Sequence, residues 1–539
     1  MKNTHPPPAW LKDAVFYQIY PQSFYDTNGD GIGDLPGIIA KLDYIQSLGV
    51  TALWLNPIFT SPFGDAGYDI SDFYQVAPRY GTNRDLQRLC AEAHRRGMRV
   101  CLDLVAGHSS NQHPWFLASA KPEKNKYSDW YVWTDSAWTS ETGAVRGCSE
   151  RDGGYLPNFF CFQPALNYGH AKPDPKKKWQ LPVTHPAVQA VRRELKNIMK
   201  FWLDLGADGF RVDMASSLVR GDADGAGLRE LWRFYRQWLD RDYPEAVLIS
   251  EWSNPRRAIG SGFDIDFMIH FNEPAYYKLL GTAWEAGGGV ATQVFFDRQG
   301  RGDVAEFLSS YLRNFRATRG RGYISLPTGN HDFPRHSRGR AERDLRVIYA
   351  MLFTMPGVPF IYYGDEIGMK YLENLTSKEG SYQNRTGTRT PMQWDSARNA
   401  GFSTAPPAKL YLPVDGRAAA PTVARQERDP QSLLNLTRRL LVLRRRHPAL
   451  GNTGDFRPVY AKKKSYPLVY ERRLNGARCW VAVNPTNRPL QVTLPAVAGA
   501  EKLEALDADL TKRGTKTTLT MKPVSFGIWS VAGTRGSAH

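Results

Sequence analysis

The feature that most narrows the fold of this chain is a rhythm. Eight short, apolar, β-rich runs end in polar residues: "AVFYQIY", "TALWLN", "RVCLDLV", "DGFRVDM", "VLISEW", "FDIDFMIH", "YISLPTGN" and "VPFIYYGDE". Most are separated by segments with apolar residues at helical spacing, such as "NRDLQRLCAEAHRRG", "AVQAVRRELKNIMKFWLDLG" and "RDLRVIYAMLFTMPG". Several of these close on glycine, as a helix C-terminus should. Strand and helix in alternation build a parallel sheet, so the fold class is α/β. Eight such units predict a closed (β/α)8 barrel of the TIM type. A doubly wound open sheet is the alternative. It usually brings a phosphate-binding loop, and the chain has no GxxxxGK[ST].

Two segments break the rhythm. Residues 106–185 are rich in Trp, Tyr, Gly and Pro, with no clear helix. They follow the third strand and predict an insertion domain at the barrel's C-terminal face. From 455 onward, "PLVYERR", "RCWVAVNP", "LQVTLP", "KLEALD" and "TLTMKP" alternate in period two, which predicts an all-β sandwich domain over 455–539. The barrel then takes 1–105 and 186–454, with the helix "QSLLNLTRRLLVLRRRHPAL" joining it to the sandwich.

The 539 residues, 42% hydrophobic, are enough for a large core and two or three domains. No stretch approaches the roughly 18 apolar residues of a membrane span. The N-terminus lacks the order of a secretory signal, and the five cysteines are an odd number with no CxxC. Free thiols in a cytoplasmic, reducing compartment are the expectation. The net charge of +17 raises nucleic-acid binding. The basic runs "KPDPKKKW", "LRRRHP" and "AKKKSY" lie far apart beside turn residues, which fits solvated faces better. Neither nucleic acid nor membrane is expected as a partner.

Chemistry-bearing groups sit where the strands end, the working face of such a barrel. Asp103 and His108 lie at and beyond strand three, Arg211 and Asp213 at strand four, Glu251 at strand five, and His331 and Asp332 after strand seven. Converging carboxylates repel, so packing explains them poorly. The chain has no HExxH, CxxC or GxSxG. Carboxylates without those motifs suit glycoside hydrolysis, in which one attacks the anomeric carbon and a second donates a proton to the leaving oxygen.

The segments "GVTALWLNPI", "DLVAGHSS", "GFRVDM", "SEW", "GNHD" and "GVPFIYYGDEIG" occur in the order found in the α-amylase superfamily, glycoside hydrolase family 13, which nearly the whole chain resembles. "GDAGYDISDF" and "TRTPMQWDSARNAGFS" further resemble its oligo-1,6-glucosidase and α-glucosidase branch. The resemblance implies Asp213 as nucleophile, with Arg211 beside it, Glu251 as general acid/base and Asp332 as the carboxylate that grips sugar hydroxyls. It implies His108 and His331 as hydroxyl binders, Tyr68 as the ring under the cleaved sugar, and Asp65 with Arg389 as holders of a non-reducing-end glucose. The loop "DTNGDGIGDL" has oxygens at alternate positions and glycine at the sixth place, as in an EF-hand, but Gly37 at the twelfth. An Asx-rich turn without metal is the alternative. The resemblance implies a structural Ca²⁺ or Mg²⁺ held by Asp26, Asn28, Asp30, the Ile32 carbonyl and Asp34, and no organic cofactor.

Three positions depart from the family. Gly107 replaces an Asn that holds calcium between barrel and insertion in many amylases, Ala165 replaces an Asp, and "Met-Ala" after Asp213 matches neither the 1,6- nor the 1,4-cleaving pattern. The expected activity is a retaining, exo-acting α-glucosidase on disaccharides and short α-gluco-oligosaccharides. The alternatives are a transglucosidase or isomerase of the same family, an endo-acting α-amylase, and a non-catalytic transporter subunit. Such subunits lose the carboxylates that are present here.

Overall fold

The computed structural model describes residues 6–269, 275–281, 293–380 and 383–532. The eight apolar runs become eight parallel strands: β1 (Phe16–Ile19), β2 (Ala52–Leu55), β3 (Arg99–Leu104), β4 (Gly209–Val212), β5 (Val247–Ser250), β6 (Ile265–Phe267), β7 (Tyr323–Ser325) and β8 (Phe360–Tyr362). Each pairs with its sequence neighbour from β1 through β7, and β1 also pairs β8. The Thr328 amide, just past β7, donates to the Phe360 carbonyl of β8 at 2.9 Å and closes the ring. The molecule is therefore a (β/α)8 TIM barrel. The run "FDIDFMIH" ends on His270, which lies outside the described residues.

The strands read as continuous apolar runs because both faces are buried, one inside the barrel and one under the helices. Ala52–Leu55, Gly209–Val212 and Val247–Ser250 are buried at every position. The helices start where short polar side chains cap them: Thr82 with Asp85 in a capping box for Asn83–Arg95, and Asp303 for Val304–Thr318. Two of them end just before a left-handed glycine, Gly97 (φ 71°) and Gly206 (φ 118°).

Between β3 and β4, the insertion has a small core of Val132, Leu156, Ala165 and Trp179. It contains one short helix, Pro114–Ser119, where no clear helix was expected. Six residues are too few to show a period, but the His113-Pro114 start is a helix signal. The insertion docks through backbone: Leu166 donates to the Gly107 carbonyl at 3.0 Å, and His108 bridges Ala165.

The C-terminal sheet comprises β9 (Asp455–Tyr460), β10 (Leu468–Leu474), β11 (Ala477–Asn484), β12 (Leu490–Leu494), β13 (Ala500–Arg513) and β14 (Lys516–Val531). β14 is long enough to pair β12 with its first half and β11 with its second, while β13 runs along its other edge. The folded sheet encloses its own core, with Trp480, Leu519, Met521 and Trp529. β9 carries Pro458 at an edge-strand irregularity and lacks alternation, which hid it in the sequence.

The basic helix Leu433–Arg446 packs by its leucines, and two buried arginines bind the joint between the units. Arg444 donates to the carbonyls of Phe353, Met355 and Gly357, and Arg472 of β10 to those of Thr354, Leu450, Gly451 and Gly454.

Candidate active site

At the C-terminal mouth of the barrel a cavity of about 440 Å³ is lined by Asp65, Tyr68, His108, Asp213, Glu251, His331 and Asp332. Phe159, Met214, Ser216, Trp252 and Arg385 complete its wall. Of the expected substrate-contacting residues, Arg211 and Arg389 stand behind the wall, 2% and 1% exposed.

Arg211 is the hub. Its Nη1 donates to Asp103 Oδ1 at 2.8 Å and to Asp213 Oδ1 at 3.0 Å, and its Nη2 lies 2.9 Å from Glu251 Oε2. The expected Arg211–Asp213 contact is present, and the same guanidinium also reaches Glu251. A buried cation is tolerable when several anions and hydrogen bonds surround it. Asp103 also accepts from Trp54 Nε1 and from Tyr68 Oη.

Both central carboxylates sit on turns with unusual backbone. Met214, directly after Asp213, has φ 43°, and Ser253, two after Glu251, has φ 53°. Such conformations cost energy in non-glycine residues and persist where the surroundings enforce them. At Met214 the turn aims the amide at Glu251 Oε2, 2.9 Å away. At Ser253 the enforcing group is Asp266 of β6, which the sequence did not single out. It accepts from Ser250 Oγ at 2.6 Å, from the Trp252 amide at 3.2 Å and from the Asn254 amide at 2.8 Å.

Burial is the largest influence on Asp213 and Glu251 and raises each to about 7, against the pull of Arg211. Neighbouring carboxylates push the same way, so the site is built to hold a proton near neutrality. Glu251 Oε2 is occupied by two donors, which leaves Oε1 to carry that proton. Asp332 differs. Burial would raise it, but the charges of Arg385, Arg389 and Arg211 hold it well below the usual carboxylate range. Arg389 lies 3.2 Å and Arg385 3.4 Å from its Oδ1.

Both histidines are neutral. Burial pushes His108 down to about 4 and His331 well below its ordinary value. Gln18 Nε2 donates to His331 Nδ1 at 3.0 Å, so the network assigns the proton to Nε2, 2.7 Å from Tyr68 Oη. Tyr68 and His331 lie parallel with centroids 5.5 Å apart. At His108, Asn158 Nδ2 donates to Nδ1 at 3.2 Å. Asn158 also accounts for Gly107: a Cβ there would stand 2.4 Å from its Nδ2.

Asp65 and Arg389 do not form an ion pair. Arg389 is drawn to Asp332 and to the His331 carbonyl, 2.8 Å from its Nε, while Asp65 Oδ2 accepts from Gln163 at 2.8 Å. The other Asp65 oxygen has no hydrogen-bond partner, and burial raises the group to about 7. Arg385 takes the cavity-lining place expected of Arg389. It lies four residues upstream in "NRTGTR", at the end of the short helix Gln383–Thr386, and nothing local in the sequence marked it.

The loop expected to hold metal is closed on itself. Asp26 accepts from the amides of Asn28, Gly29 and Gly31, Asn28 from the Asp30 amide, Asp30 from the Ile32 amide, and Asp34 from Thr27 and from the Gly37 amide. Its oxygens suit a hard cation chemically. Among the described residues, however, no three His, Cys, Asp or Glu side chains gather to hold a metal. Also among them, no helix is long and apolar enough to cross a membrane.

Carboxylates, neutral imidazoles and one parallel ring around a pocket on a TIM barrel define a sugar-processing site. The chain belongs to the α-amylase family, whose catalytic domain it matches over residues 18–453. It is 34% identical to trehalose synthase/amylase TreS of Mycolicibacterium smegmatis, over 91% of this chain and 87% of that protein. It is 32% identical to the oligo-1,6-glucosidase of Parageobacillus thermoglucosidasius, over 90% and 92%. In structure it is similar to trehalulose synthase MutB of Pseudomonas mesoacidophila, with TM-score 0.81 and 28% identity over 98% of this chain and all of that one.

Proposed function

We propose that this protein is a retaining, exo-acting α-glucosidase that removes single glucose units from the non-reducing end of short α-glucosides. The observation that carries the exo reading is an unpartnered acceptor in the cavity wall. There Asp65, 4% exposed, keeps one oxygen without a protein partner, a place for a terminal sugar hydroxyl. The shared guanidinium supports retention. One arginine that contacts both Asp213 and Glu251 keeps the two carboxyl groups near each other, which suits the retaining class, whose carboxyl groups lie roughly 5–5.5 Å apart.

Asp213 attacks the anomeric carbon while Glu251 passes its proton to the glycosidic oxygen. Asp332, held ionised, accepts from sugar hydroxyls as the ring distorts. The departing aglycone leaves a glycosyl ester on Asp213. Glu251, now a carboxylate, takes a proton from water as it attacks, and glucose leaves. Maltoheptaose blocked at its non-reducing end is the test. It should resist cleavage while maltose is hydrolysed, and rapid internal cleavage would replace the exo reading with an amylase one.

The likeness to TreS and MutB favours a second reading, in which another sugar rather than water captures the ester. Chromatography of products from maltose, isomaltose, trehalose, sucrose and starch separates the two. Disaccharide isomers without matching glucose would establish transfer.

A further inference from the structure

The turn that brings Asp65 to the cavity wall is covered by a thin piece of chain, and its fastening is visible. Asp65 sits in the turn of a small hairpin after β2, formed by Phe59–Thr60 and Asp72–Val76. Over this turn lies a segment of the loop following β8, with Glu379 at φ 49° and Gly380 at φ 64°. The approach is backbone to backbone. A Cβ on Gly380 would stand 2.6 Å from the Gly64 carbonyl oxygen and 3.2 Å from both Asp65 Cα and Asp65 Oδ1. Only glycine permits that contact, so the segment is seated directly on a residue of the cavity wall.

Arg79, just past the hairpin, holds the segment down. Its Nη1 donates to Glu379 Oε1 at 2.7 Å and its Nη2 to Glu379 Oε2 at 3.2 Å, a two-pronged pair. The guanidinium is fixed from two other sides. Nη2 also donates to Tyr80 Oη at 2.8 Å, and the plane lies 3.2 Å from the Phe63 ring centroid. On the far side, Lys378 Nζ donates to the Tyr411 carbonyl at 2.7 Å. The cover is one layer deep: the Arg79 and Glu379 side chains are 16% and 15% exposed, while Asp65 beneath is nearly sealed.

We propose that Arg79 and Glu379 determine how long a chain this enzyme accepts: their ion pair latches the Glu379–Gly380 segment over Asp65 and stops a glucan from running past the terminal glucose. The proposal rests on the exo-acting reading and names its structural cause. Neither residue lines the cavity, so the latch acts by closing space rather than by touching the reacting sugar. A strained non-glycine φ at Glu379 fits a segment held by its anchor rather than by its own preference.

The test compares kcat/KM for maltoheptaose blocked at its non-reducing end with kcat/KM for 4-nitrophenyl α-glucoside, products being resolved by chromatography. The variants are Arg79→Ala, Glu379→Gln and, from the opposite side of the contact, Gly380→Ala, whose methyl group displaces the segment. Wild type should leave the blocked chain intact. Each variant should raise the blocked-to-unblocked ratio by about tenfold or more. The charge-reversed double variant Arg79→Glu/Glu379→Arg should bring it back toward wild type. An unchanged ratio in variants that keep the wild-type melting temperature overturns the latch and leaves the exo reading standing. Should Arg79→Ala fail to fold, Glu379→Gln and Gly380→Ala decide in the same way. Rapid cleavage of the blocked chain by wild type itself would remove the exo reading, and the latch with it.

Discussion

Replacing Arg211 with lysine tests the electrostatics of the site most directly. The guanidinium reaches three carboxylates, at 2.8 Å, 3.0 Å and 2.9 Å, through two amino groups. A lysine keeps the charge but is a single, shorter point and cannot serve both Asp213 and Glu251. At 3 Å and an effective dielectric of about 20, one such contact has a gross Coulomb energy of about 5 kcal/mol. After desolvation, a contact to a charged group contributes about 1.5–3 kcal/mol net. Losing one should therefore raise the affected carboxyl by about one to two pKa units, since one unit is about 1.4 kcal/mol. The direction follows from the site: Arg211 lowers both Asp213 and Glu251, so weakening it raises both. Catalysis needs Asp213 ionised and Glu251 protonated, so both limbs of the kcat/KM profile should move to higher pH. Activity at the optimum should fall roughly ten- to hundredfold. The assay is kcat/KM for 4-nitrophenyl α-glucoside across the pH range, with melting temperature as a folding check. A well-folded variant whose limbs stay in place, or move to lower pH, would refute the account of Arg211 as the group that tunes these carboxyls.

Asp213→Asn should abolish turnover of every glucoside, whereas Glu251→Gln should cost far more with maltose than with an activated aryl glucoside, read from initial rates on both. Asp266→Asn should keep KM within a few-fold but lower kcat by about tenfold, because it loosens the turn carrying Glu251; a change confined to melting temperature would make Asp266 purely structural. For the "DTNGDGIGDL" loop, proposed to take a cation through Asp26, Asn28, Asp30, Ile32 and Asp34, adding Ca²⁺ or Mg²⁺ to chelated protein should raise the melting temperature without altering low-temperature kcat, and an unchanged melting temperature would leave the loop an Asx-rich turn.

Much of this was legible in the sequence, for identifiable reasons. Barrel strands are buried on both faces and announce themselves as unbroken apolar runs, and a carboxylate closing such a run has no packing role to hide behind. Asp213 and Glu251 were visible on those grounds. Asp266 was not, because it lies inside the run "FDIDFMIH" and looks like a strand's polar face; its partners are amides of another strand's loop. The partner of Arg389 was hidden for a related reason. Its motif fixes where its backbone goes, while the choice between Asp65 and Asp332 depends on which anion stands closer. Gly107 showed as a departure, but its cause, Asn158, is 51 residues downstream. Arg79 and Glu379 are separated by 300 residues, and no local pattern links them.

The two buried arginines at the joint bear on how freely the parts of this chain could be traded. A chain ending at residue 454 would keep every residue around the cavity, yet the carbonyls of Thr354, Leu450, Gly451 and Gly454 would lose their Arg472 donor. Thr354 closes the helix Glu342–Leu352 and stands a few residues before β8, so the orphaned oxygens would sit in the barrel's own closing segment. The truncation would also strip Leu468, Tyr470, Val481, Phe526 and Ile528 from the core they share with the barrel, at about 1.5–3 kcal/mol per large side chain. The C-terminal sheet is thus a keystone rather than a passenger. Recombination between relatives would have to carry β9 and β10 across together with the segment before β8, as one block, to yield a chain that folds.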